Sequence, residues 1–375
     1  MAHVERRGTR WRARYRDPDG RARSRSFARK VDAERFLTTV EHAKLHGGYV
    51  DPAAGRITFR EFAEEWRAIQ VHRQGTVVSV EGHLRLHVYP VLGERPLAAI
   101  RPTEVQALVQ RLSDDLAPST VAVVYGRLVG IFRAAVRDRI ITTSPCVGIK
   151  LPARAPHAVL EVLSIEQVMA IADAIDPRYR ALVLAGAGTG LRPGELFGLR
   201  LDHVDFLRRS IRVEQQVARL KTGGVGLGPL KTPSSYRTVP LPKVVGEALA
   251  AHLTAYPASV EHGTVFTTAR GGFVQQHPFA AVWATAKRRA GGPAWATPHD
   301  LRHFYASALI RSGASVKVVQ ARLGHASATT TLDVYGHLFP DEEHRTRTAI
   351  DAVFDGSTDD VQAHMAPSRA TSRLA

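Results

Sequence analysis

The amino-acid sequence predicts a multidomain protein with a small β-sheet plus one helix at the N-terminus, an all-α helical bundle, and a mainly α-helical (α+β) C-terminal domain. Apolar and cationic residues alternate near the N-terminus, and apolar residues recur at helical spacing through the middle of the chain. Helix and strand patterns are mixed in the second half. With 375 residues, the chain is long enough for two or three domains that each bury a core.

The composition favours a polyanionic partner. The chain has 51 Lys and Arg against 35 Asp and Glu, a formal net charge of +16. Nucleic acid is the first candidate, although a basic enzyme without such a partner has the same composition. The single cysteine, Cys146, excludes an intrachain disulfide and a multi-cysteine metal site. No signal-like segment and no apolar run near the roughly 18 residues of a membrane span is apparent, so we expect a cytoplasmic protein.

Residues 1–50 predict a basic DNA-binding unit with 13 Lys and Arg against 6 Asp and Glu. Trp11, Ala13 and Tyr15 alternate with arginines, the period of a strand with one apolar and one cationic face. A turn at residues 17–20 leads to a second arginine-bearing strand, and a helix follows from about Asp32 to Gly47. An arginine face could enter a DNA groove, although a solvated sheet face fits equally well. The candidate DNA contacts are Arg10, Arg12, Arg14, Arg16, Arg21, Arg23 and Arg25.

Residues 58–143 predict a compact helical bundle. Thr58 and Glu61 form a capping-box pattern that opens the first helix. Further helices are indicated around 77–88, from Thr103, and from Ser119 to about Arg139. A proline-punctuated basic linker spans 144–160.

Residues 161–350 predict the mixed C-terminal domain. Ser164 opens it with another capping box, and residues 351–375 have too few large apolar side chains to pack, so a disordered tail is expected. Helices are indicated at 164–175, 179–188, 193–200, 243–256, 276–290, 297–312, 315–323 and 327–337. Short strands are indicated at 210–216, 237–241 and 265–266.

Two motifs in this domain carry cations. In TGLRPGEL, glycines and a proline indicate a tight turn into a helix, with Arg192 near the helix start and Glu195 placed to brace it. In LKTPSSYRTVP, Lys231 lies on a polar loop from which it could protonate a leaving oxygen. Lys221, in a similar triplet, competes for this role. Alone, each would more often be an ordinary surface residue.

Two more motifs carry histidines and a tyrosine. In TPHDLRH, the residue types predict a helix start at Thr297 that places His299 and Arg302 on one face of the first turn, where a phosphate is favoured. In LGHASATTTLDVYGH, His325 precedes a short helix that carries Tyr335. Alone, the histidine could equally be structural, and the tyrosine would more often belong to a core.

A zinc site is the alternative for HDLRH, because His299 and His303 are spaced like the histidines of HExxH. Asp300 stands where that motif has its catalytic glutamate, and no third ligand is apparent. A metal site is therefore not expected.

Together, these motifs resemble in order and spacing those of the tyrosine recombinases, specifically the phage-type integrases. The resemblance covers nearly the whole chain and implies arm-binding, core-binding and catalytic domains. It implies that Arg192 and Arg302 are the two catalytic arginines, Lys231 the hairpin lysine, His299 and His325 the active-site histidines, and Tyr335 the nucleophile. Of the histidines, His299 is expected to exchange the proton of the tyrosine.

The resemblance implies a site-specific DNA recombinase that cuts and rejoins DNA through a 3′-phosphotyrosine. The expected partners are double-stranded DNA at attachment sites, three further copies of the chain in a tetramer on DNA, and a directionality factor. No cofactor is needed, since the phosphotyrosine conserves the bond energy. Two guanidinium groups and a histidine are expected to favour the tyrosine phenolate. A type IB topoisomerase and a DNA-binding protein without catalysis are the alternatives.

Overall fold

The computed structural model describes residues 2–18, 20–46, 48–51, 53–153, 161–220, 223–339 and 343–354. It divides the chain into two compact units, Met1–Ala158 and Val159–Ala375. The first four residues of the expected disordered tail, 351–354, are helical, and the rest of the tail lies outside the described residues. The expected linker, residues 144–160, is described only as far as residue 153.

The first unit begins with a three-stranded antiparallel sheet covered by one helix. Gly8, with φ of 59°, and Gly20, with φ of 82°, occupy the two turns of the sheet, where a left-handed backbone favours glycine. Ala13 and Tyr15 pack against Ala33 and Leu37 in a small core. The elements are β1 (His3–Arg7), β2 (Arg10–Arg16), β3 (Ala22–Phe27) and α1 (Lys30–Leu45).

The rest of the first unit is a helical bundle with a separate core. Thr58 and Glu61 form the predicted capping box, in which each side chain bonds the other residue's backbone N–H. The helices are α2 (Phe59–Ala68), α3 (Gln74–His83), α4 (Tyr89–Leu92), α5 (Pro102–Asp115) and α6 (Pro118–Arg137), with a π-helical turn at Leu84–Val88. Phe59, Leu84, Leu108 and Phe132 are among the buried residues of this core.

Helix α6 contradicts the expectation that no apolar run approaches the length of a membrane span. With 20 residues, it is long and apolar enough to cross a membrane. One face of α6 is buried in the bundle through Val121, Val124, Leu128 and Phe132. Core helices of this kind pass the same test of length and composition, so α6 is weak support for a membrane span.

The second unit has helices around two small sheets. Its first elements are α7 (Ile165–Ala174), α8 (Pro177–Thr189), α9 (Pro193–Phe197), β4 (Val204–Asp205), β5 (Ser210–Val213), β6 (Gln215–Arg219), β7 (Val225–Pro229) and β8 (Arg237–Pro240). They are followed by α10 (Lys243–Ala255), α11 (Gln276–Arg289), α12 (Asp300–Arg311), α13 (Val316–Leu323), α14 (Ala328–Tyr335) and α15 (Glu343–Phe354). Strands β4, β5 and β8 form one antiparallel sheet, and β6 and β7 form a hairpin.

Helix α8 lies at the centre of the second unit, and its small residues let neighbouring elements approach closely. A Cβ at Gly188 would lie 2.4 Å from Val245 of α10, and one at Gly186 would lie 2.9 Å from Leu301 of α12. Gly190 ends α8 with φ of 64° beside the Tyr305 ring. Helix α8 therefore fixes the position of α12, which carries Arg302.

The fold class predicted from the sequence is confirmed, with several local differences. The sequence does not predict the β6–β7 hairpin or α15, and residues 265–266 form no strand, although isolated bridges flank them at Thr264 and Thr267. Helix α12 begins at Asp300, after a turn in which the Asp300 carboxylate accepts hydrogen bonds from the Thr297 backbone and hydroxyl at 2.7 Å. His299 therefore stands at the N-cap of α12 and not within its first turn.

Candidate active site

Arg192 is held by three contacts at the start of α9. Its Nη1 donates to Glu195 Oε1 at 2.8 Å and to Ser235 Oγ at 3.3 Å, and its Nη2 donates to the Gly324 carbonyl at 3.2 Å. The backbone N–H of Arg192 also donates to Glu195 Oε2. The predicted brace between Glu195 and Arg192 is therefore present in the structure.

Glu195 also binds Arg237, which the sequence motifs do not single out. Arg237 Nη2 donates to Glu195 Oε2 at 2.9 Å, and its Nε donates to the Arg322 carbonyl at 2.8 Å. Burial alone would raise the pKa of Glu195, but the hydrogen bond and charge of Arg237, with the charge of Arg192, hold this pKa below its ordinary value. Glu195 is thus a buried carboxylate between two guanidinium groups.

Arg302 is 2% exposed and donates to two backbone carbonyls. Its Nη1 donates to the Gly190 carbonyl at 2.7 Å, and its Nη2 donates to the Leu323 carbonyl at 2.5 Å. Burial, together with the charges of Arg192 and Arg237, lowers its pKa to about 9, still above neutrality. Arg192 and Arg302 therefore hold the adjacent carbonyls of Gly324 and Leu323, immediately before His325.

His325 lies close to Tyr335. The two rings are nearly parallel, at 10°, with centroids 6.4 Å apart. His325 Nδ1 shares a hydrogen bond of 2.9 Å with Thr331 Oγ1, which fixes the imidazole on α14. Burial, with the charges of Arg302 and Arg192, lowers the pKa of His325 to about 4, so this imidazole is neutral at pH 7.

Tyr335 is 1% exposed and is the last residue of α14. It packs in a cluster with Tyr305, Ile310, Val319 and Leu323. Burial raises its pKa to about 12, although the charges of Arg302 and Arg192 act in the opposite direction. The guanidinium groups therefore favour the phenolate, as expected, but desolvation of the phenol is the larger effect and the net pKa is raised.

His303, and not His299, contacts the Tyr335 hydroxyl. His303 Nδ1 and Tyr335 Oη share a hydrogen bond of 2.7 Å, and the ring centroids are 5.5 Å apart. The His299 ring meets the His303 ring edge-on at 5.1 Å. Burial, with the charges of His303 and Arg302, lowers the pKa of His299 to about 4. The sequence signal for His303 lies in HDLRH, where its spacing from His299 indicates only a zinc ligand.

Lys231 is exposed on the loop between β7 and a 3-10 turn at Pro233–Ser235. The loop connects to Arg192 through Ser235, whose hydroxyl lies 2.9 Å from Thr232 Oγ1 and accepts from Arg192. The competing Lys221 lies outside the described residues. Within the described parts of the chain, no group of three or more His, Cys, Asp or Glu side chains is arranged to hold a metal ion.

The N-terminal arginines divide between the two faces of the sheet. Side chains of paired residues in an antiparallel sheet share a face, and the register pairs Ala13 with Arg25 and Tyr15 with Arg23. These two arginines therefore lie on the helix side. Arg23 binds Asp51 at 2.6 Å, and the Arg25 guanidinium lies 5.2 Å from the Phe36 ring centroid.

The open face carries Arg10, Arg12, Arg14 and Arg16, paired with Arg7, Ser26, Ser24 and Ala22. Arg21 is exposed in the turn before β3.

Three family models match the chain in succession. They are described as phage integrase N-terminal domain, phage integrase central domain and phage integrase family, and they match residues 5–47, 59–150 and 159–342.

Relatives match over most of the chain. The integrase of Mycobacterium phage L5 is 28% identical over 80% of this chain and 83% of its own length. A tyrosine recombinase XerC-like protein of Caldanaerobacter subterraneus is 26% identical over 90% of this chain and 94% of its own. The tyrosine recombinase XerD of Corynebacterium glutamicum is 31% identical over 56% of this chain and 68% of its own.

Solved structures share the fold. The Tn1549 transposon integrase in complex with a circular intermediate DNA has a TM-score of 0.68 at 19% identity, covering 79% of this chain and 99% of that one. The lambda integrase tetramer bound to a Holliday junction has a TM-score of 0.58 at 18% identity, covering 87% and 96%.

Proposed function

The chain belongs to the phage integrase family of tyrosine recombinases, and we propose that Tyr335 is the nucleophile with which it cuts and rejoins DNA. The protein is an enzyme of DNA strand cleavage and transfer that recombines specific sites of mobile elements. One observation carries the assignment of residues. Arg192 and Arg302, over a hundred positions apart in sequence, donate to the adjacent carbonyls of Gly324 and Leu323, and His325 stacks on Tyr335 directly after them.

Arg192 and Arg302 bind the nonbridging oxygens of the scissile phosphate. Each guanidinium carries five N–H donors, so groups remain free beyond those that hold the carbonyls. Negative charge builds on these oxygens as the phosphorus is attacked, and fixed cations stabilise it without reorganisation. Neutral His325 adds a hydrogen bond to the same phosphate, and His299, beside Arg302 at the N-cap of α12, adds another polar group at this edge.

The leaving group requires a proton. Attack of Tyr335 Oη forms the Oη–P bond and breaks the bond from phosphorus to the 5′ oxygen, which leaves as an alkoxide unless it is protonated. Lys231 supplies this proton, since an exposed lysine on a loop can follow the DNA strand. The 5′ hydroxyl of a second duplex reverses these steps and joins the strands.

The substrates are double-stranded attachment sites, and the assembly that exchanges strands is a homotetramer, like the lambda integrase tetramer on a Holliday junction. The open face of the N-terminal sheet binds DNA outside the crossover site through Arg10, Arg12, Arg14 and Arg16. A directionality factor selects integration or excision, and the reaction takes place in the cytoplasm.

A covalent trap tests the assignment of the nucleophile. On a crossover-site duplex nicked next to the cleavage position, the short cleaved fragment diffuses away and the adduct accumulates. We expect a band on a denaturing gel for the wild type, with and without EDTA, and no band for Tyr335→Phe. Tyr305→Phe is the matched control, because Tyr305 packs in the same cluster and should retain the adduct.

Other outcomes would favour the alternatives. An adduct formed by Tyr335→Phe contradicts the nucleophile. A wild type that binds its site but never forms an adduct indicates DNA binding alone. Relaxation of supercoils without exchange between two sites favours a type IB topoisomerase, and loss of cleavage in EDTA favours the zinc site.

A further inference from the structure

His303 makes the direct hydrogen bond to the hydroxyl of the proposed nucleophile. The distance of 2.7 Å between His303 Nδ1 and Tyr335 Oη is that of a well-formed hydrogen bond. The His325 ring is nearly parallel to the Tyr335 ring at a centroid distance of 6.4 Å, and its Nδ1 is engaged by Thr331. Of the three histidines at this site, His303 is therefore the one positioned to exchange a proton with Oη.

His299 is less well placed for this role. Its ring packs edge-on against His303, with centroids 5.1 Å apart, and the hydrogen bond of the Tyr335 hydroxyl goes to His303. His299 lies immediately before the first residue of α12, at the same end of the helix as Arg302, the proposed phosphate ligand. Its position suits contact with the DNA phosphate better than proton exchange with Tyr335.

His303 has the electrostatic surroundings of a base that gains a positive charge. Burial, together with the charge of Arg302, lowers its pKa, whereas the Asp300 carboxylate acts in the opposite direction. The imidazole is therefore neutral at pH 7, and in the tautomer protonated at Nε2 the lone pair of Nδ1 accepts the hydrogen bond from the Tyr335 hydroxyl. Asp300, one turn earlier, stabilises the imidazolium that forms on proton uptake.

We propose that His303 is the general base of the cleavage step and takes the proton from Tyr335. This inference rests on the proposed role of Tyr335. As the Oη–P bond forms, the phenolic proton moves to His303 Nδ1, the bond from phosphorus to the 5′ oxygen breaks, and Lys231 protonates that oxygen. No free phenolate is formed, which matters because burial makes the phenolate of Tyr335 costly. In the reverse step, His303 returns the proton to the departing tyrosine.

The DNA strand must still reach a phenol that is 1% exposed. Tyr335 ends α14, and the turn at Gly336–Leu338 follows it directly. Leu338 and Phe339 pack against the cluster that contains Tyr335. The proposed reaction therefore requires that this segment move to uncover the phenol, while α12 keeps His303 in place.

The test compares His303→Gln with His299→Gln on the nicked crossover-site duplex under single-turnover conditions. Glutamine keeps the size and polarity of histidine but cannot take a proton at neutral pH. We expect His303→Gln to slow adduct formation about a hundredfold, the usual contribution of a general base, with unchanged DNA affinity. His303→Asn serves as a second variant if His303→Gln unfolds at a lower temperature than the wild type.

A fluorinated tyrosine at position 335 separates proton transfer from positioning. Its phenol has a lower pKa and gives up its proton more readily, so it should restore most of the rate lost in His303→Gln and little of the rate lost in His299→Gln. A positional role for His303 would not be rescued in this way.

Two results would overturn the inference alone: wild-type or faster adduct formation by His303→Gln and His303→Asn, or a loss that fluorotyrosine leaves unchanged. An adduct that forms in Tyr335→Phe would instead overturn the proposed function itself.

Discussion

The arginines of the N-terminal sheet and those of the catalytic unit are held in opposite ways. Arg10, Arg14 and Arg16 are exposed on the open face of β2, whereas Arg302 is 2% exposed and fixed by two carbonyls. An exposed guanidinium attracts phosphate through its charge and needs no fixed geometry. A buried guanidinium has lost its hydration, and its hydrogen bonds fix where the remaining N–H groups point.

Charge alone therefore does not distinguish binding from catalysis in this chain. Replacement by lysine keeps the charge and removes the planar fork, so the same substitution should separate the two kinds of arginine.

Arg302→Lys should have the largest effect. Lysine cannot donate to the carbonyls of Gly190 and Leu323 while it also binds a phosphate, so we expect cleavage to fall by about a hundredfold or more. Single-turnover adduct formation measures the loss, with DNA affinity as a separate readout. Arg14→Lys is the matched control and should cleave at the wild-type rate. Equal effects of the two substitutions would remove the distinction between the two regions.

Lys231 sharpens the comparison, because it is exposed like the β2 arginines but is assigned to the chemistry. Lys231→Ala should cleave a normal duplex about a hundredfold more slowly than the wild type. A duplex with sulfur in place of the bridging 5′ oxygen should restore the rate, since a thiolate leaves without a proton. Lys221→Ala is the control. Rescue of Lys221→Ala in place of Lys231→Ala would reverse the choice between these lysines.

A substitution at Glu195 tests how much its buried ion pairs with Arg192 and Arg237 contribute to stability. Glu195→Gln leaves two cations with a neutral partner, and we expect the catalytic unit to lose about 3 kcal/mol of unfolding free energy, measured by urea denaturation at pH 7. The pKa of Glu195 is lower in the folded state than its ordinary value of 4.5. Its stabilising contribution is therefore complete above pH 4.5 and is lost as the pH falls through the folded-state pKa.

The difference in stability between wild type and Glu195→Gln should accordingly shrink as the solution is acidified below that point. A constant difference down to the acid transition would show that the carboxylate charge is not what stabilises the unit. Glu247→Gln, in the exposed pair with Lys243, is the control and should change stability by less than about 1 kcal/mol.

The sequence predicts the elements whose signals are local. The capping boxes at Thr58 and Ser164 form as expected, because their hydrogen bonds join residues three positions apart. The β6–β7 hairpin escapes prediction because its second strand contains Gly226 and Gly228, and glycine is depleted in strands. The antiparallel pairing of β6 with β7 in the folded domain outweighs this low strand preference of glycine.

The parts of the site that depend on distant contacts cannot be predicted in the same way. Arg237 begins a strand in sequence, and only the fold brings it to Glu195 and to the Arg322 carbonyl. The sequence pairs His303 with His299, four residues away, whereas the hydrogen bond of His303 goes to Tyr335 on another helix. The large burial of Tyr335, which raises its pKa, is likewise a property of the packed cluster and not of its neighbours in sequence.

The open face of the N-terminal sheet gives the smallest effect of the series. Arg12 and Arg14 lie on this face, and Arg23 and Arg25 lie on the other. The double variant Arg12→Gln with Arg14→Gln should therefore weaken binding to an outlying arm site several-fold. It should also reduce the salt slope of log K by about 0.9 for each phosphate that the protein no longer neutralises. Arg23→Gln with Arg25→Gln removes the same charge from the helix side, where Arg23 binds Asp17 and Asp51, and should leave the slope nearly unchanged. Binding to the crossover site should change less than binding to the arm site in the first pair. If both pairs reduced the slope equally, net charge would govern binding and the assignment of the open face would be wrong.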